Sequence, residues 1–288
     1  MRVLIVLMSF FVLGIVGFFL ISGNTQDAKQ LNTSIEKGPK FYDTTYSQFY
    51  GKTKVQVFFL ASNKHAKNKG LILFLPGWNL PVLDWRYKTK VCQRATELGY
   101  HVLLVDMGKS VYLDSVYKTC RADYATYPTR TWLWDSVLSP YKNTGFFIPE
   151  SRTFVLGLST GARGAALLGL EHGSEIKAVG CLSGDYAPNF DTTDLLFKNT
   201  IGNYWKYPFR WNEGPNNILH NVSKWNTSVY LAHGLQDKTV PAKHSIALRD
   251  SLLKRPQIKS KFDLDDGQHN YVYWNLHGLK ALAFFDTL

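Results

Sequence analysis

Short apolar runs alternate with helical segments along most of this 288-residue chain, and this alternation constrains the fold more than any other feature. Most of the runs lack the polar alternation of a strand with one solvated face. They therefore predict strands buried on both sides, as in a parallel sheet. We predict an α/β protein with a mostly parallel central sheet and helices on both faces. The predicted strands are 55–60, 70–75, 101–106, 152–157, 176–182, 228–233 and 259–264, and the predicted helices are 85–98, 160–172, 242–253 and 270–285.

The first 40 residues differ in composition from the rest. Residues 3–21 carry no charged side chain and follow Arg2, which predicts a signal peptide or membrane anchor over residues 1–23. Residues 24–40 are polar, show no hydrophobic period and are interpreted as a linker to a single domain, 41–288. We therefore expect an exported protein, periplasmic or secreted, that is either released or held at a membrane through residues 3–22.

Two aromatic-rich stretches, 107–150 and 185–221, do not fit the alternation of strands and helices. Both follow predicted strands, and open parallel sheets bind their ligands beyond the carboxyl ends of the strands. These stretches are expected either to wall or cover a site there, or only to fasten long connections to the core.

A Gly-Leu-Ser-Thr-Gly sequence at residues 157–161 lies between a predicted strand and a predicted helix. A serine in this context occupies a sharp turn with a strained backbone, and the residues two positions away must be very small. Gly157 and Gly161 meet that requirement. The turn raises Ser159 above the sheet edge beside a helix N-terminus, which favours developing negative charge. Ser159 is therefore the candidate nucleophile.

A serine hydroxyl needs a base to take its proton, and in sites of this kind the chain order is serine, acid, histidine. Among the eight histidines, His269 lies in the loop between the last predicted strand and the last predicted helix, where that order places the base. His277 is the alternative. His233 ends a predicted strand and is interpreted as a packing residue.

The carboxylate that orients the base should also follow a strand. Asp237 meets this condition, and Asp185, which follows the preceding strand, is the alternative. Acyl transfer also needs donors for an oxyanion. The backbone N–H groups of Thr160 and Trp78 are the candidates, with Gly77 as a second choice for the latter, unless residues 75–79 form only a turn.

The formal net charge is +11, but the basic side chains are scattered and no nucleic-acid motif accompanies them. They predict a solubilising surface, with an anionic partner such as a membrane surface, a polyanion or an acidic substrate as the alternative, and no nucleic-acid partner. An oxidising compartment permits a Cys92–Cys120 disulfide, whereas Cys181 lies in an apolar run and is expected to be a buried thiol. No cysteine or histidine spacing fits a metal site, so we expect neither metal nor cofactor.

Taken together, several segments resemble the α/β-hydrolase superfamily, and within it the esterases that include S-formylglutathione hydrolases, feruloyl esterases and mycolyltransferase-type proteins. The resemblance runs from about residue 70 to the C-terminus. It departs from the usual pattern at Thr160, where many relatives carry a larger residue, and at Asn270, where an acidic residue often follows the histidine. The segments that carry it are Leu75-Pro76-Gly77, Gly157-Leu158-Ser159-Thr160-Gly161, Leu182-Ser183-Gly184, His233-Gly234 with Asp237, and Gly267-Gln268-His269-Asn270 with Trp274.

This resemblance implies the α/β-hydrolase fold, a Ser159–Asp237–His269 triad, and oxyanion donors at Trp78 and Thr160. The expected activity is cleavage of a carboxylic ester through an acyl-enzyme on Ser159. The expected substrate is a small-molecule, glycan or lipid ester. Two alternatives stay open: a sugar or lipid alcohol replaces water as the acyl acceptor, or the chain binds ligands without catalysis.

Overall fold

An eight-stranded sheet forms the centre of the computed structural model, which describes residues 43–63, 65–140 and 152–288. The predicted signal or anchor and the predicted linker lie outside these residues. Residues 43–288 pack together as one unit. The strands are β1 (Asp43–Tyr50), β2 (Thr53–Leu60), β3 (Gly70–Leu75), β4 (Tyr100–Val105), β5 (Thr153–Leu158), β6 (Ile176–Leu182), β7 (Ser228–Gly234) and β8 (Ser260–Asp265).

The strand order across the sheet is β1-β2-β4-β3-β5-β6-β7-β8. All pairs from β4 to β8 are parallel, and only β1 and β2 join the sheet antiparallel. The mostly parallel sheet predicted from the apolar runs is therefore confirmed. Because β5, β7 and β8 run the same way, their carboxyl ends meet at one edge of the sheet, and the loops that follow them are neighbours there.

Helices cover both faces of the sheet. Successive residues of β3 show this, because Leu71 and Leu73 belong to one apolar cluster, while Ile72 and Phe74 belong to another. The helices are α1 (Asp84–Tyr87), α2 (Val91–Leu98), α3 (Thr129–Trp132, continued by a π-helix over Leu133–Leu138), α4 (Thr160–Glu171), α5 (Leu195–Lys198), α6 (Pro208–Asn212), α7 (Ile218–Asn221), α8 (Lys243–Leu252) and α9 (Tyr271–Phe285), with 3₁₀ turns at Pro188–Phe190 and Val222–Lys224. The first cluster includes residues of α4 and α8, and the second includes residues of α2 and α9.

The predicted helix 85–98 is two helices, α1 and α2. The Thr89 hydroxyl donates to the carbonyl of Trp85 and accepts the backbone N–H of Val91 at 3.2 Å. A threonine side chain that bonds its own neighbouring backbone competes with the helical ladder and favours a break. Strand β1 was not predicted at all. It is a polar edge strand joined to β2 by a two-residue turn whose Gly51 has φ +56°.

Two long connections, one between β4 and β5 and one between β6 and β7, are tied together by buried arginine side chains. Arg130 donates to Tyr112 O at 3.1 Å in the first connection and to Asn216 Oδ1 at 3.0 Å in the second. Arg163 on α4 donates to the Asn216 carbonyl. Charge-assisted hydrogen bonds of this kind are strong when buried. The two connections are therefore fastened to each other and to α4.

The three cysteines are free thiols. Cys92 is buried on α2, whereas Cys120 is partly exposed in the β4–β5 connection, so the suggested Cys92–Cys120 bridge is absent. Cys181 is buried in β6 as predicted, and burial raises the pKa of its thiol well above the ordinary value. Among the described residues, no helix combines the length and the apolar composition needed to cross a bilayer.

Candidate active site

Ser159 occupies a strained turn between β5 and α4. Its φ is +55° and its ψ is −127°, a backbone conformation that residues other than glycine rarely adopt. The turn needs tiny neighbours, because a Cβ on Gly157 would collide with the carbonyl of Gly161, and a Cβ on Gly161 would collide with the carbonyl of Leu75. The serine N–H donates to Leu182 O at 2.8 Å, which fastens the turn to the adjacent strand.

Ser159, His269 and Asp237 form one hydrogen-bonded row. His269 Nε2 lies 3.0 Å from Ser159 Oγ, and His269 Nδ1 lies 2.6 Å from Asp237 Oδ2. An ionised carboxylate only accepts, so Nδ1 carries the proton and Nε2 is free to accept from the serine hydroxyl. The indole of Trp274 packs edge-on against the imidazole at 4.9 Å between ring centroids. The structure thus brings together three residues that lie far apart in the sequence.

Asp237 is held as an anion by the groups around it. Its Oδ1 accepts the backbone N–H groups of Thr239 at 2.8 Å and Val240 at 2.9 Å. Burial raises the pKa of Asp237, but hydrogen bonds from His233, His269 and Val240 outweigh burial and hold the pKa well below its usual range. The carboxylate is therefore ready to orient an imidazole and to stabilise its cation.

His233 is a second histidine on the same carboxylate. Its ring is completely buried, its Nε2 lies 2.9 Å from Val240 O and 3.3 Å from Asp237 Oδ2, and its Nδ1 lies 2.7 Å from Ser245 Oγ. The interpretation of His233 as a packing residue is incomplete, because the side chain also contacts the acid of the row. One sequence signal could have indicated this contact: Asp237 follows His233 by four residues, just after the end of β7.

A glutamine side chain joins the loop that carries Asp237 to the loop that carries His269. Gln236 Nε2 donates to Asp266 Oδ1 at 2.8 Å, and Gln236 Oε1 accepts the Gly267 N–H at 2.5 Å. The Gln236 N–H also donates to Gly267 O at 3.0 Å. The two loops therefore form one unit at the sheet edge. No sequence pattern pointed to Gln236, because its role depends on how two distant loops meet.

The alternative acid and base have other partners. His277 is buried on α9, where its Nδ1 lies 2.9 Å from Tyr230 Oη and 3.6 Å from Asp263 Oδ2. Asp185 faces Arg163, with 3.6 Å between Oδ1 and Nη1. In the part of the chain that the structure describes, no hydrogen bond joins Asp185 to His269.

The loop after β3 lies against Ser159. A Cβ built on Gly77 would be 3.0 Å from the Ser159 Cβ, so the backbone approaches closely there. The Tyr112 hydroxyl donates to Pro76 O at 2.9 Å and fixes the loop. Within the described residues, the N–H groups of Trp78 and Thr160 donate to no acceptor. Both predicted oxyanion donors are therefore free to bind an oxygen from a ligand.

A cavity of about 310 Å³ opens beside Ser159. The β4–β5 connection contributes Tyr124, the β6–β7 connection contributes several residues between 185 and 197, and the loop after β7 contributes residues 239–241. The long connections therefore wall the cavity. The Trp211 side chain instead fastens the β6–β7 connection, in a buried cluster that includes Phe197. Among the described residues, no group of three potential metal ligands comes together.

Comparison with solved structures identifies the fold class. FphF, a fluorophosphonate-binding serine hydrolase of Staphylococcus aureus, superposes with a TM-score of 0.68 at 16% identity, over 86% of this chain and 99% of that one. The S-formylglutathione hydrolase FrmB of the same organism gives 0.69 at 14% identity, over 86% and 99%. A ferulic acid esterase gives 0.65 at 15% identity, over 86% and 98%. No protein-family model and no curated protein sequence matches the chain.

These likenesses, with the eight-stranded sheet, confirm the α/β-hydrolase fold. The similar structures include an S-formylglutathione hydrolase and a ferulic acid esterase, two of the protein types to which the sequence motifs pointed. At these identities the likeness concerns the fold. The chemistry depends on the residues of the site itself.

Proposed function

We propose that the protein is a serine hydrolase that cleaves carboxylic esters through an acyl-enzyme on Ser159. The observation that carries the proposal is the hydrogen-bonded row from Ser159 Oγ through His269 to Asp237. In the first step Ser159 attacks the ester carbonyl while His269 Nε2 takes the hydroxyl proton. Asp237 holds the ring and stabilises the imidazolium that forms.

The tetrahedral intermediate places a negative charge on the former carbonyl oxygen. The free N–H groups of Trp78 and Thr160 support the role of oxyanion donors, and the N-terminus of α4 adds a favourable dipole. His269 then gives its proton to the leaving alcohol, which leaves the acyl group on Ser159. Water, deprotonated by the same histidine, releases the acid and restores the hydroxyl.

A fluorophosphonate probe tests the proposal without knowledge of the substrate. We expect the wild type to be labelled once, at Ser159, and to turn over short p-nitrophenyl esters. Ser159→Ala should lose both properties, while Ser251→Ala on α8 keeps them as a matched control. Labelling of the Ser159→Ala variant, or a folded wild type that neither reacts nor hydrolyses, would reject the proposed role.

A further inference from the structure

The cavity beside Ser159 is acidic although the chain as a whole is basic. The carboxylates of Asp185, Asp191 and Asp194 line it together with Ser159, and no lysine or arginine is among its lining residues in the described part of the chain. The chain carries a formal net charge of +11. Three carboxylates at one cavity of such a protein make a local field that attracts cations.

The positive charges nearest to these carboxylates compensate them only in part. Arg163 faces Asp185 at 3.6 Å, and hydrogen bonds from Thr193, with a smaller effect from the charge of Lys243, lower the pKa of Asp191. Across the residues that the structure describes, no ion pair involves Asp194. Burial raises the pKa of Asp194, and the negative charges of its two neighbouring carboxylates add to that effect. A cation in the cavity would relieve this repulsion.

His244 does not supply the missing positive charge. Its Nδ1 accepts the backbone N–H of Tyr186 at 3.2 Å, which leaves the proton on Nε2. Burial lowers the pKa of His244 to about 3, so the ring lines the cavity as an uncharged group.

A separate observation points to a ligand in the same cavity. Thr160 lines it, is only 6% exposed, and its hydroxyl oxygen has no hydrogen-bond partner among the described residues. Buried polar atoms are normally satisfied, so an unpartnered atom beside a cavity indicates a group that a ligand completes.

We propose that this cavity binds a cationic group of the ester substrate, a primary or quaternary ammonium, with Asp191 and Asp194 as its charge partners. Trp78 and Tyr124 also line the cavity, and aromatic side chains attract quaternary ammonium groups. This inference rests on the proposed esterase function and narrows its substrates to cationic esters.

Matched pairs of esters test the inference. The p-nitrophenyl ester of trimethylammoniobutyrate is compared with the ester in which a quaternary carbon replaces the nitrogen. Butyrylcholine is compared with its carbon analogue in the same way. The first pair places the charge on the acyl side and the second on the alcohol side. We expect kcat/KM to favour the charged member of at least one pair by about tenfold, which corresponds to about 1.4 kcal/mol.

The Asp191→Asn/Asp194→Asn double variant should abolish that preference and leave kcat/KM for the neutral esters within about twofold of wild type, since the removed interaction is electrostatic. Asparagine can keep the local hydrogen bonds, in which Asp194 Oδ1 accepts the Leu196 N–H at 2.7 Å and Asp191 Oδ1 accepts the Thr193 N–H at 2.9 Å. Asp250→Asn, an exposed change on α8, should keep the wild-type preference.

Equal kcat/KM within both pairs in the wild type would overturn the cation site and leave the esterase intact, because the neutral esters are still cleaved. A double variant that keeps the full preference would overturn the assignment to these carboxylates. Absence of turnover of every ester, together with absence of fluorophosphonate labelling, would overturn the proposed function and this inference with it.

Discussion

Replacement of His233 tests whether the second histidine on Asp237 contributes to catalysis. His233→Ala removes the Nε2 donor, which lies 2.9 Å from Val240 O and 3.3 Å from Asp237 Oδ2, and the Nδ1 acceptor, which lies 2.7 Å from Ser245 Oγ. The ring is completely buried, so no solvent replaces these contacts at once. The substitution therefore acts on both stability and the acid of the row.

Two partners, the Val240 carbonyl and the Ser245 hydroxyl, lose a buried hydrogen bond. Each loss costs about 1–3 kcal/mol, so the free energy of unfolding should fall by about 2–6 kcal/mol. Asp237 keeps the Thr239, Val240 and His269 donors, and the contact it loses is the longest. We expect kcat/KM to fall by about tenfold, or about 1.4 kcal/mol, since hydrogen bonds to charged groups are worth about 1.5–3 kcal/mol at good geometry.

The assay is steady-state hydrolysis of a neutral p-nitrophenyl ester, with urea unfolding measured in parallel. The loss should lie in kcat with KM nearly unchanged, because His233 is completely buried and does not line the cavity. Two variants separate positioning from stability. Ser245→Ala removes the Nδ1 partner and lowers stability while kcat stays near wild type, and His233→Gln, which supplies an amide donor near the position of Nε2, restores part of kcat.

Folded His233→Ala protein that keeps kcat within about twofold of wild type would refute a positioning role for His233, since that difference is too small for a lost hydrogen bond to a charged group. Equal reductions of kcat in Ser245→Ala and His233→Ala would also refute that role, because the fall in kcat would then follow the loss of stability alone.

Two further changes have defined outcomes. Gly161→Ala places a Cβ against the Leu75 carbonyl, so the free energy of unfolding should fall by about 1–3 kcal/mol and ester hydrolysis should drop with it; unchanged melting and kcat would contradict the tight turn. Burial lowers the pKa of His101 from 6.5 to about 4. Because the unfolded chain binds the proton more tightly than the folded protein, the stability that neutral His101 contributes is complete above pH 6.5 and is lost as the pH falls toward 4. Urea unfolding is measured at about pH 7 and about pH 4.5. Between these two pH values the free energy of unfolding should fall by about 2–3 kcal/mol more in the wild type than in His101→Gln, and equal losses would contradict this.

The sequence predicted the interior of the sheet well, and the reason is physical. Residues 70–75 and 176–182 are strands with the predicted bounds, because a parallel strand buried on both faces must be continuously apolar. The edge strand β1 was missed since an edge needs no such run. The break at Thr89 was missed because one hydroxyl, rather than the hydrophobic pattern, decides where the helix stops.

The residues of the candidate site were predictable where the residue type and its position after a strand were enough to identify them. Ser159, Asp237 and His269 each follow a strand, so parallel topology brings them to one edge. The contact between His233 and Asp237 and the carboxylates of Asp191 and Asp194 were not assigned to the site. The contact depends on how the loop after β7 folds back on the strand, and the carboxylates depend on the path of the β6–β7 connection. Export, and membrane attachment through residues 3–22, stay predictions.

The hydrogen bonds from Arg130 and Arg163 to Asn216 have a consequence for how the proposed ester substrates would enter the cavity. Parting the β4–β5 connection from the β6–β7 connection would break the hydrogen bonds from Arg130 to Asn216 Oδ1 and from Arg163 to the Asn216 carbonyl, although Arg130 would keep Glu171, whose Oε1 lies 2.6 Å from its Nη2. Hydrogen bonds to charged groups contribute about 1.5–3 kcal/mol each, so the two bonds oppose separation of the connections. We therefore expect the fixed dimensions of the cavity beside Ser159 to limit the length of the substrate. A broader substrate range would require substitutions at Arg130, Arg163 or Asn216.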